Sequence, residues 1–156
     1  MTKLTFEVKL HEGLGNLEFG QSYDEVLAIL GEPSEIEILE DEDEDDGDNL
    51  NTALCYFYEQ GLTLFLEGEE ERYLVSIESD NVNLKLFGKN LFAMNEAEII
   101  NLMKLNGYNE LYTEDEEWGE RRVCFEDAMI DFYFSSNKLV TVNWSCDIDE
   151  DVAGDD

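Results

Sequence analysis

The chain has 156 residues, the length of one ordinary domain, and 43% of them are hydrophobic, a composition that excludes wholesale disorder. Forty aspartates and glutamates face nine lysines and arginines, so the formal net charge at pH 7 is −31. A surface of that sign repels phosphate backbones and anionic lipid head groups, and we expect neither nucleic-acid nor membrane binding.

The first elements in chain order are a strand and a short capped helix. Residues 4–10 alternate apolar and polar side chains, which is the period of a half-buried strand and not the pattern of a secretory signal. Ser22 and Glu25 have the spacing of a capping box, in which each side chain accepts from a backbone N–H of the first turn. Gly31 and Pro33 predict the helix end, because glycine adopts the left-handed cap and proline cannot continue a helix.

Strands predominate in the stretch that follows, and then a similar order of elements begins again. Alternating apolar positions between turn residues predict a three-stranded meander, at 54–58, 62–66 and 73–77. Beyond Asp80, Asn95 and Glu98 predict a second capped helix that ends at Gly107. Further alternating stretches predict the last strands, at 123–125, 130–134 and 139–144.

The two halves together predict a tandem repeat of one strand–helix–meander unit, residues 4–80 and 82–146. One such unit alone would have a thin core, so we expect the two to share one sheet in a single compact domain. The predicted fold class is α+β, with the helices packed on one face of a mostly antiparallel sheet. We expect the acidic tail, residues 147–156, to be disordered.

The surplus acids are concentrated in four runs. Glu40–Asp48 holds eight acids, Glu67–Glu71 four, Glu114–Glu120 five and Asp147–Asp156 six. Like charges at that density oppose compaction, so these runs are expected in loops and in the tail, where water and salt screen them. They are then either solvated connections or a docking surface for a basic partner.

Few residues could support nucleophilic or metal chemistry. His11 is the single histidine, so a catalytic triad or a histidine acid–base mechanism would depend on it alone. Cys55, Cys124 and Cys146 lack the C-x-x-C spacing of a zinc site, and the first two lie in strand patterns as core residues. An odd cysteine number without a signal or an apolar membrane span favours the reducing cytoplasm. We predict no catalytic residue.

Nucleotide and calcium motifs are also missing. Neither G-x-x-x-x-G-K-[ST] nor G-x-G-x-x-G occurs in the chain. The acidic run around Gly47 resembles an EF-hand loop only in part, because its twelfth position falls on Ala53 and not on a bidentate glutamate. We therefore predict no metal site and no cofactor, with weak nonspecific Ca²⁺ association left open.

Two acidic runs supply the candidate partner-binding residues. Trp118 lies within the second run, and an aromatic ring surrounded by charge suits recognition of a basic protein surface. The same ring could instead fold back and cap the sheet. The candidates are Asp41, Glu42, Asp43, Glu44, Asp45, Asp46, Asp48, Glu114, Asp115, Glu116, Glu117 and Trp118.

The first helix carries a motif that resembles a known group. Residues 20–26, GQSYDEV, followed by 30–33, LGEP, are similar to the G-x-[ST]-x-x-[DE]-V…LG-x-P signature of the SmpA/OmlA and β-lactamase-inhibitor-protein-like group. That resemblance implies a helical element on an antiparallel sheet, sometimes in tandem repeat. In the second half Asn95 replaces the serine or threonine, and no proline follows Gly107. The layout also resembles small cytoplasmic immunity proteins of bacterial toxin systems, and both resemblances imply binding of another protein.

Three hypotheses about function remain open. The leading one is a non-catalytic binding protein, an inhibitor or immunity factor whose acidic loops cover a basic partner such as a nuclease toxin encoded nearby. The alternative is a carboxylate-based enzyme, or a binder of divalent cations or small ligands, in a cleft between the repeats. A third is that the charge serves only solubility or halophilic adaptation.

Overall fold

The structure, a computed structural model, describes residues 5–40, 51–68, 71–117 and 119–146. Two α-helices occur in these ranges, α1 (Tyr23–Leu30) and α2 (Glu96–Leu105), together with a short 3₁₀ helix at Leu91–Ala93. The strands in the same ranges are β1 (Val8–Lys9), β2 (Gly13–Leu14), β3 (Leu17–Glu18), β4 (Glu35–Glu40), β5 (Asn51–Phe57), β6 (Leu62–Gly68), β7 (Tyr73–Ser79), β8 (Lys85–Leu86), β9 (Lys89–Asn90), β10 (Leu111–Asp115), β11 (Arg121–Phe125), β12 (Ile130–Ser135) and β13 (Lys138–Ser145).

One large antiparallel sheet organises the fold. Its eight strands follow the order β10-β11-β12-β13-β7-β6-β5-β4, and two smaller sheets contain β1-β2-β3 and β8-β9. β7 and β13 pair at the centre, where Ile77 lies opposite Trp144 and Ser79 lies opposite Val142. Strands β4 to β7 and strands β10 to β13 each pair in sequence order, so the central pairing joins two chain segments that are distant in sequence.

Alternation along the strands gives the large sheet one buried face. In β6 the pattern is buried at Leu62, Leu64 and Leu66 and less buried between them. Across the sheet, Leu64 lies opposite Cys55 in β5 and Ile77 in β7, so apolar side chains share a face. The period-2 pattern therefore predicts correctly which strand residues form the core.

Extended segments, more than helices, cover that face. Leu14 and Leu17 in the first small sheet and Leu84 before β8 are fully buried in the same core cluster. The indole Nε1 of Trp144 donates a hydrogen bond of 2.8 Å to the carbonyl oxygen of Gly13 and ties this segment to the central strand. Gly13 has φ 148°, and a Cβ there would overlap the carbonyl oxygen of Leu17, so a side chain is excluded.

The helix starts are confirmed. Ser22 Oγ accepts from the backbone N–H of Glu25 at 3.3 Å, and Glu25 Oε1 accepts from the N–H of Ser22 at 2.9 Å. Asn95 and Glu98 form the same reciprocal pair, with both distances 2.9 Å. Local capping chemistry thus decides where both helices begin.

The predicted arrangement of helices on one face of a repeated sheet unit is wrong. The described protein is mostly β, with 48% strand and 17% helix, and its main feature is the large antiparallel sheet. The physical reason is how little the helices bury: α1 contributes Val26 and α2 contributes Ile99 and Met103 as buried residues. Helices of eight and ten residues, with so few buried side chains, cannot cover a face eight strands wide.

Candidate functional site

The face of the large sheet that points away from the core carries a row of polar and aromatic side chains. Residues opposite each other in neighbouring antiparallel strands share a face, so the register places this row across all eight strands. From β4 to β10 the row consists of Glu35, Tyr56, Thr63, Glu78, Asn143, Asp131, Cys124 and Tyr112. We call the face that bears this row the open face.

Two tyrosines hold two glutamates at the β4 end of the open face. The Tyr56 hydroxyl donates a hydrogen bond of 3.0 Å to Glu37 Oε1, and the Tyr58 hydroxyl donates to Glu35. The two rings are stacked, with centroids 5.9 Å apart. The hydrogen bonds to these carboxylates raise the pKa of Tyr56 and of Tyr58, so both hydroxyls stay protonated donors at neutral pH. These hydrogen bonds position both glutamates.

Arg122 supplies positive charge near the β10 end. Its Nε lies 3.5 Å from Asp131 Oδ1 and its Nη1 lies 3.9 Å from Glu114 Oε1. The guanidinium also lies over the Tyr112 ring, 5.7 Å from the centroid. Arg122 Nε and Asp131 Oδ1 are buried without a hydrogen-bond partner, so the attraction between them is electrostatic and not a formed hydrogen bond.

Cys124 lies beside Asp131 in this row. Burial and a hydrogen bond to the Asp131 carboxylate raise the pKa of the Cys124 thiol to about 12. The thiolate is the nucleophilic form of cysteine, so at neutral pH this side chain is a poor nucleophile. The position suits packing better than covalent chemistry.

Glu78 lies at the middle of the row, in a hollow of about 240 Å³. Thr63, Asp80 and Thr141 line the same hollow. Burial raises the pKa of the Glu78 carboxyl, and the nearby charges of Asp80 and Glu120 raise it further. A cation entering this hollow would relieve that repulsion.

Within the described residues, the ion pairs of the open face lie near its β10 end, and none lies at its middle or at its β4 end. Within the ranges that the structure describes, every ion pair has Arg121 or Arg122 as its cation. Glu35, Glu37 and Glu78 therefore have no ion-pair partner in that part of the chain. The open face has unopposed carboxylates from β4 to β7 and compensated ones toward β10.

The structure places Glu114 and Asp115 in β10 and not in the predicted loop. As neighbours in a strand they point to opposite faces. Glu114 pairs with Arg122, while Asp115 Oδ1 lies 3.3 Å from Arg121 Nη1. Arg121 Nε also lies 2.9 Å from Glu96 Oε1 in α2. These two predicted residues are brought together at one corner, where arginines partly neutralise them.

The remaining predicted residues divide into two groups. Glu116 and Glu117 follow β10 in a turn, and the N–H of Glu116 donates at 2.7 Å to the carbonyl of Glu120. The others lie outside the described residues: Asp41, Glu42, Asp43, Glu44, Asp45, Asp46, Asp48 and Trp118. The tail 147–156 lies outside them as well. For these positions the role in binding stays a prediction.

Several residues of the open face were missed by the reasoning from sequence. Tyr56 lies in β5 and Tyr58 directly follows that strand. Alternation in the predicted strand 54–58 places both on one face, but it does not mark that face as a site. Glu78 and Arg122 carry no such signal, because only the pairing of distant strands shows that both lie on the open face. All the predicted site residues lie instead in two acidic runs of the sequence.

Other candidate chemistry has little geometry behind it. His11 has a left-handed backbone, φ 65°, and its Nε2 lies 3.1 Å from the carbonyl oxygen of Asp127. Among the residues that the structure describes, no group of three or more histidine, cysteine, aspartate or glutamate side chains is placed to hold a metal ion. Nor does this part of the chain contain a helix whose length and apolarity would suit a bilayer span.

Comparison with family models, curated proteins and solved structures gave no match. The resemblance to the SmpA/OmlA and β-lactamase-inhibitor-protein-like group, and to immunity proteins, therefore stays a prediction.

Proposed function

We propose that the chain is a non-catalytic protein-binding module of the inhibitor or immunity type, and that it binds a basic protein such as a nuclease toxin encoded nearby. The observation that carries the proposal is the open face, on which Glu35, Glu37 and Glu78 lack ion-pair partners in the described ranges while tyrosine rings stand between them. Tyrosine combines apolar area with a polar tip and is enriched at protein interfaces.

The dimensions of the open face suit a protein partner. Eight strands at a spacing of about 4.8 Å span roughly 34 Å. Central strands of seven residues at about 3.3 Å per residue add a second dimension of roughly 20 Å. The product, about 700 Å², is close to the roughly 800 Å² that each partner contributes to a standard interface.

The surplus charge of the whole chain supports a cationic partner. A net charge of −31 attracts a basic protein over distance and accelerates encounter, and added salt screens this effect. The run Glu40–Asp48 begins at the last residue of β4, so in sequence it is continuous with the β4 end of the open face. In this proposal the protein acts in the cytoplasm, since an odd number of cysteines favours a reducing compartment.

The direct test is co-expression with the product of the neighbouring reading frame. The proposal expects this chain to suppress that product's toxicity and to purify with it, with an association rate that falls steeply between low and moderate salt. Neutralising Asp41, Asp43, Asp45 and Asp46 to asparagine should slow association and leave thermal stability unchanged or slightly higher. A control variant neutralises four acids of the tail, which gives the same net charge.

Two results would contradict the proposal. One is the absence of both rescue and co-purification. The other is an unchanged association rate in the variant that neutralises Asp41, Asp43, Asp45 and Asp46. That result would show that the acidic run is not part of the docking surface. If both variants slow association equally, the net charge steers the encounter and the position of the acids does not matter.

The second candidate function, a binder of divalent cations or small ligands, has one observation in its favour. Glu78 combines a raised pKa with a hollow that Asp80 also lines. Titration with Ca²⁺ or Mg²⁺ while the Glu78 carboxyl carbon is followed by NMR tests this reading. Saturable shifts confined to Glu78 and Asp80 would favour it over a protein interface.

A further inference from the structure

β4 forms an edge of the large sheet. Among the described residues the sheet order ends with this strand, which pairs with β5 on one side only. An edge strand presents unpaired N–H and C=O groups along its outer side, and these groups can pair with a further strand. As far as the described residues show, the outer side of β4 is thus a template for backbone hydrogen bonding.

Residues 35–38 of β4 alternate between charged and apolar side chains, and Leu39 then interrupts the alternation. Glu35 and Glu37 point to the open face, opposite Tyr56 and Leu54, while Ile36 and Ile38 point to the core face. Ile36 and Ile38 are each 44% exposed, although the sheet residues of this face nearer the centre are buried. The edge therefore offers two exposed isoleucines on one face, and two carboxylates with the exposed Leu39 on the other.

A groove continues the apolar side of this edge. Ile36, Ile38 and Ala53 line a space of about 360 Å³ together with Ser22 and Tyr23 at the start of α1. Its walls are an apolar strip of the sheet, the first turn of the helix with Asp24, and the charged side chains of Glu71 and Arg72 just before β7. An apolar side chain next to Ile36 and Ile38 would enter this space and bury both isoleucines further.

The opposite edge of the sheet differs in its electrostatics. At β10 the carboxylates Glu114 and Asp115 already pair with Arg122 and Arg121. At β4 the corresponding contacts are to tyrosine hydroxyls, which fix the carboxylates but do not neutralise them. A basic segment gains more from the strand residues of β4 than from those of β10, because within the described residues Glu35 and Glu37 have no ion-pair partner whereas Glu114 and Asp115 have one.

We propose that β4 binds its partner by β-strand addition, accepting an extended segment of a basic protein that alternates basic and apolar residues. Lysines or arginines of that segment face Glu35 and Glu37, and its apolar residues lie against Ile36 and Ile38. Backbone hydrogen bonds along the edge supply affinity, and the alternation supplies specificity. This inference rests on the proposed function and names the part of the surface where the basic partner docks.

Charge selects this occupant over a second copy of the chain. Antiparallel pairing of two β4 strands would set glutamates of one copy near glutamates of the other on the same face, and like charges across strands are destabilising. Two chains of net charge −31 also repel each other at long range.

The test uses a synthetic peptide of about eight residues in which lysine and valine alternate, a length typical of a strand. A second peptide has the same composition with lysines and valines in separate blocks. We expect the alternating peptide alone to slow amide hydrogen exchange in β4 by at least tenfold at saturation. We expect Glu35→Lys combined with Glu37→Lys to weaken its binding at least tenfold, while Asp155→Lys combined with Asp156→Lys, the same change in net charge, weakens it far less.

Three results would overturn the inference. Equal binding of both peptides, with NMR shifts spread over the open face, would mean electrostatic capture without strand addition and would leave the proposed function standing. If neither peptide binds, β4 is not the docking edge. Rescue in the co-expression assay would then still support the proposed function, because that assay does not depend on β4. Protection of β4 that rises with protein concentration in the absence of peptide would identify a second copy as the occupant.

Discussion

Trp144 connects the centre of the large sheet to the segment that covers it, and its replacement by phenylalanine tests this connection. The side chain is fully buried in β13, opposite Ile77 in β7 and Ile130 in β12. Its Nε1 donates to the carbonyl oxygen of Gly13, a residue 131 positions away in sequence. Phenylalanine keeps an aromatic ring at this position and removes the donor.

The expected loss can be worked from two contributions. A buried carbonyl that loses its donor costs about 1–3 kcal/mol. The smaller ring leaves unfilled space, and the missing atoms add about 1–2 kcal/mol. We expect Trp144→Phe to lower the free energy of unfolding by roughly 2–5 kcal/mol, which in a domain of this size lowers Tm by about 4–20 °C.

Urea unfolding followed by far-UV circular dichroism measures this loss at constant pH and salt. Tyr58→Phe is the matched control: it also removes one hydrogen-bond donor, but the side chain is 63% exposed, and we expect a change within about 0.5 kcal/mol. If Trp144→Phe lost less than about 1 kcal/mol at an unchanged m-value, the hydrogen bond to Gly13 would not hold the covering segment in place.

Three further predictions follow from individual groups. The pKa of Glu78 is higher in the folded state, so ionisation of this carboxyl opposes folding as pH rises. Glu78→Gln should therefore raise Tm by about 1–2 °C at pH 7, and this gain should shrink toward pH 5. A gain in Tm that does not depend on pH would contradict this prediction. Asn95→Ala should cost about 1 kcal/mol of stability in thermal melts, whereas Asn95→Asp, which preserves the cap, should cost little. Site-resolved alkylation at pH 8 should modify Cys124 at least a hundredfold more slowly in the folded than in the urea-unfolded protein, because its pKa is raised to about 12; equal rates would show an accessible thiolate.

Local patterns predicted the local features well. The capping boxes at Ser22 and Asn95 are present as expected, because a cap depends on residues within one helical turn. Alternation in β6 predicted the buried residues, since the strand period is two wherever one face is covered. The open face of the same strands could be inferred as a polar face, although its position in the molecule could not.

The wrong prediction concerned what covers the sheet. Strong helix signals suggested that helices would do so, but the segments around Leu14 and Leu84, with strands of only two residues, bury more. Such short strands have no measurable period, and their burial depends on contacts such as the one between Trp144 and Gly13. Pairing at that separation in sequence cannot be read from a local window.

The sequence by itself determined the charge, the helix starts, the strand periodicity and the number of histidines and cysteines, because each depends on composition or on neighbours a few residues apart. Only the tertiary structure decided that β7 pairs with β13, that Arg122 neutralises Glu114, and that Glu78 does not meet a cation within the described residues. Those outcomes depend on which distant strands become neighbours, and the free energy that selects them comes from burying one continuous face of the whole sheet.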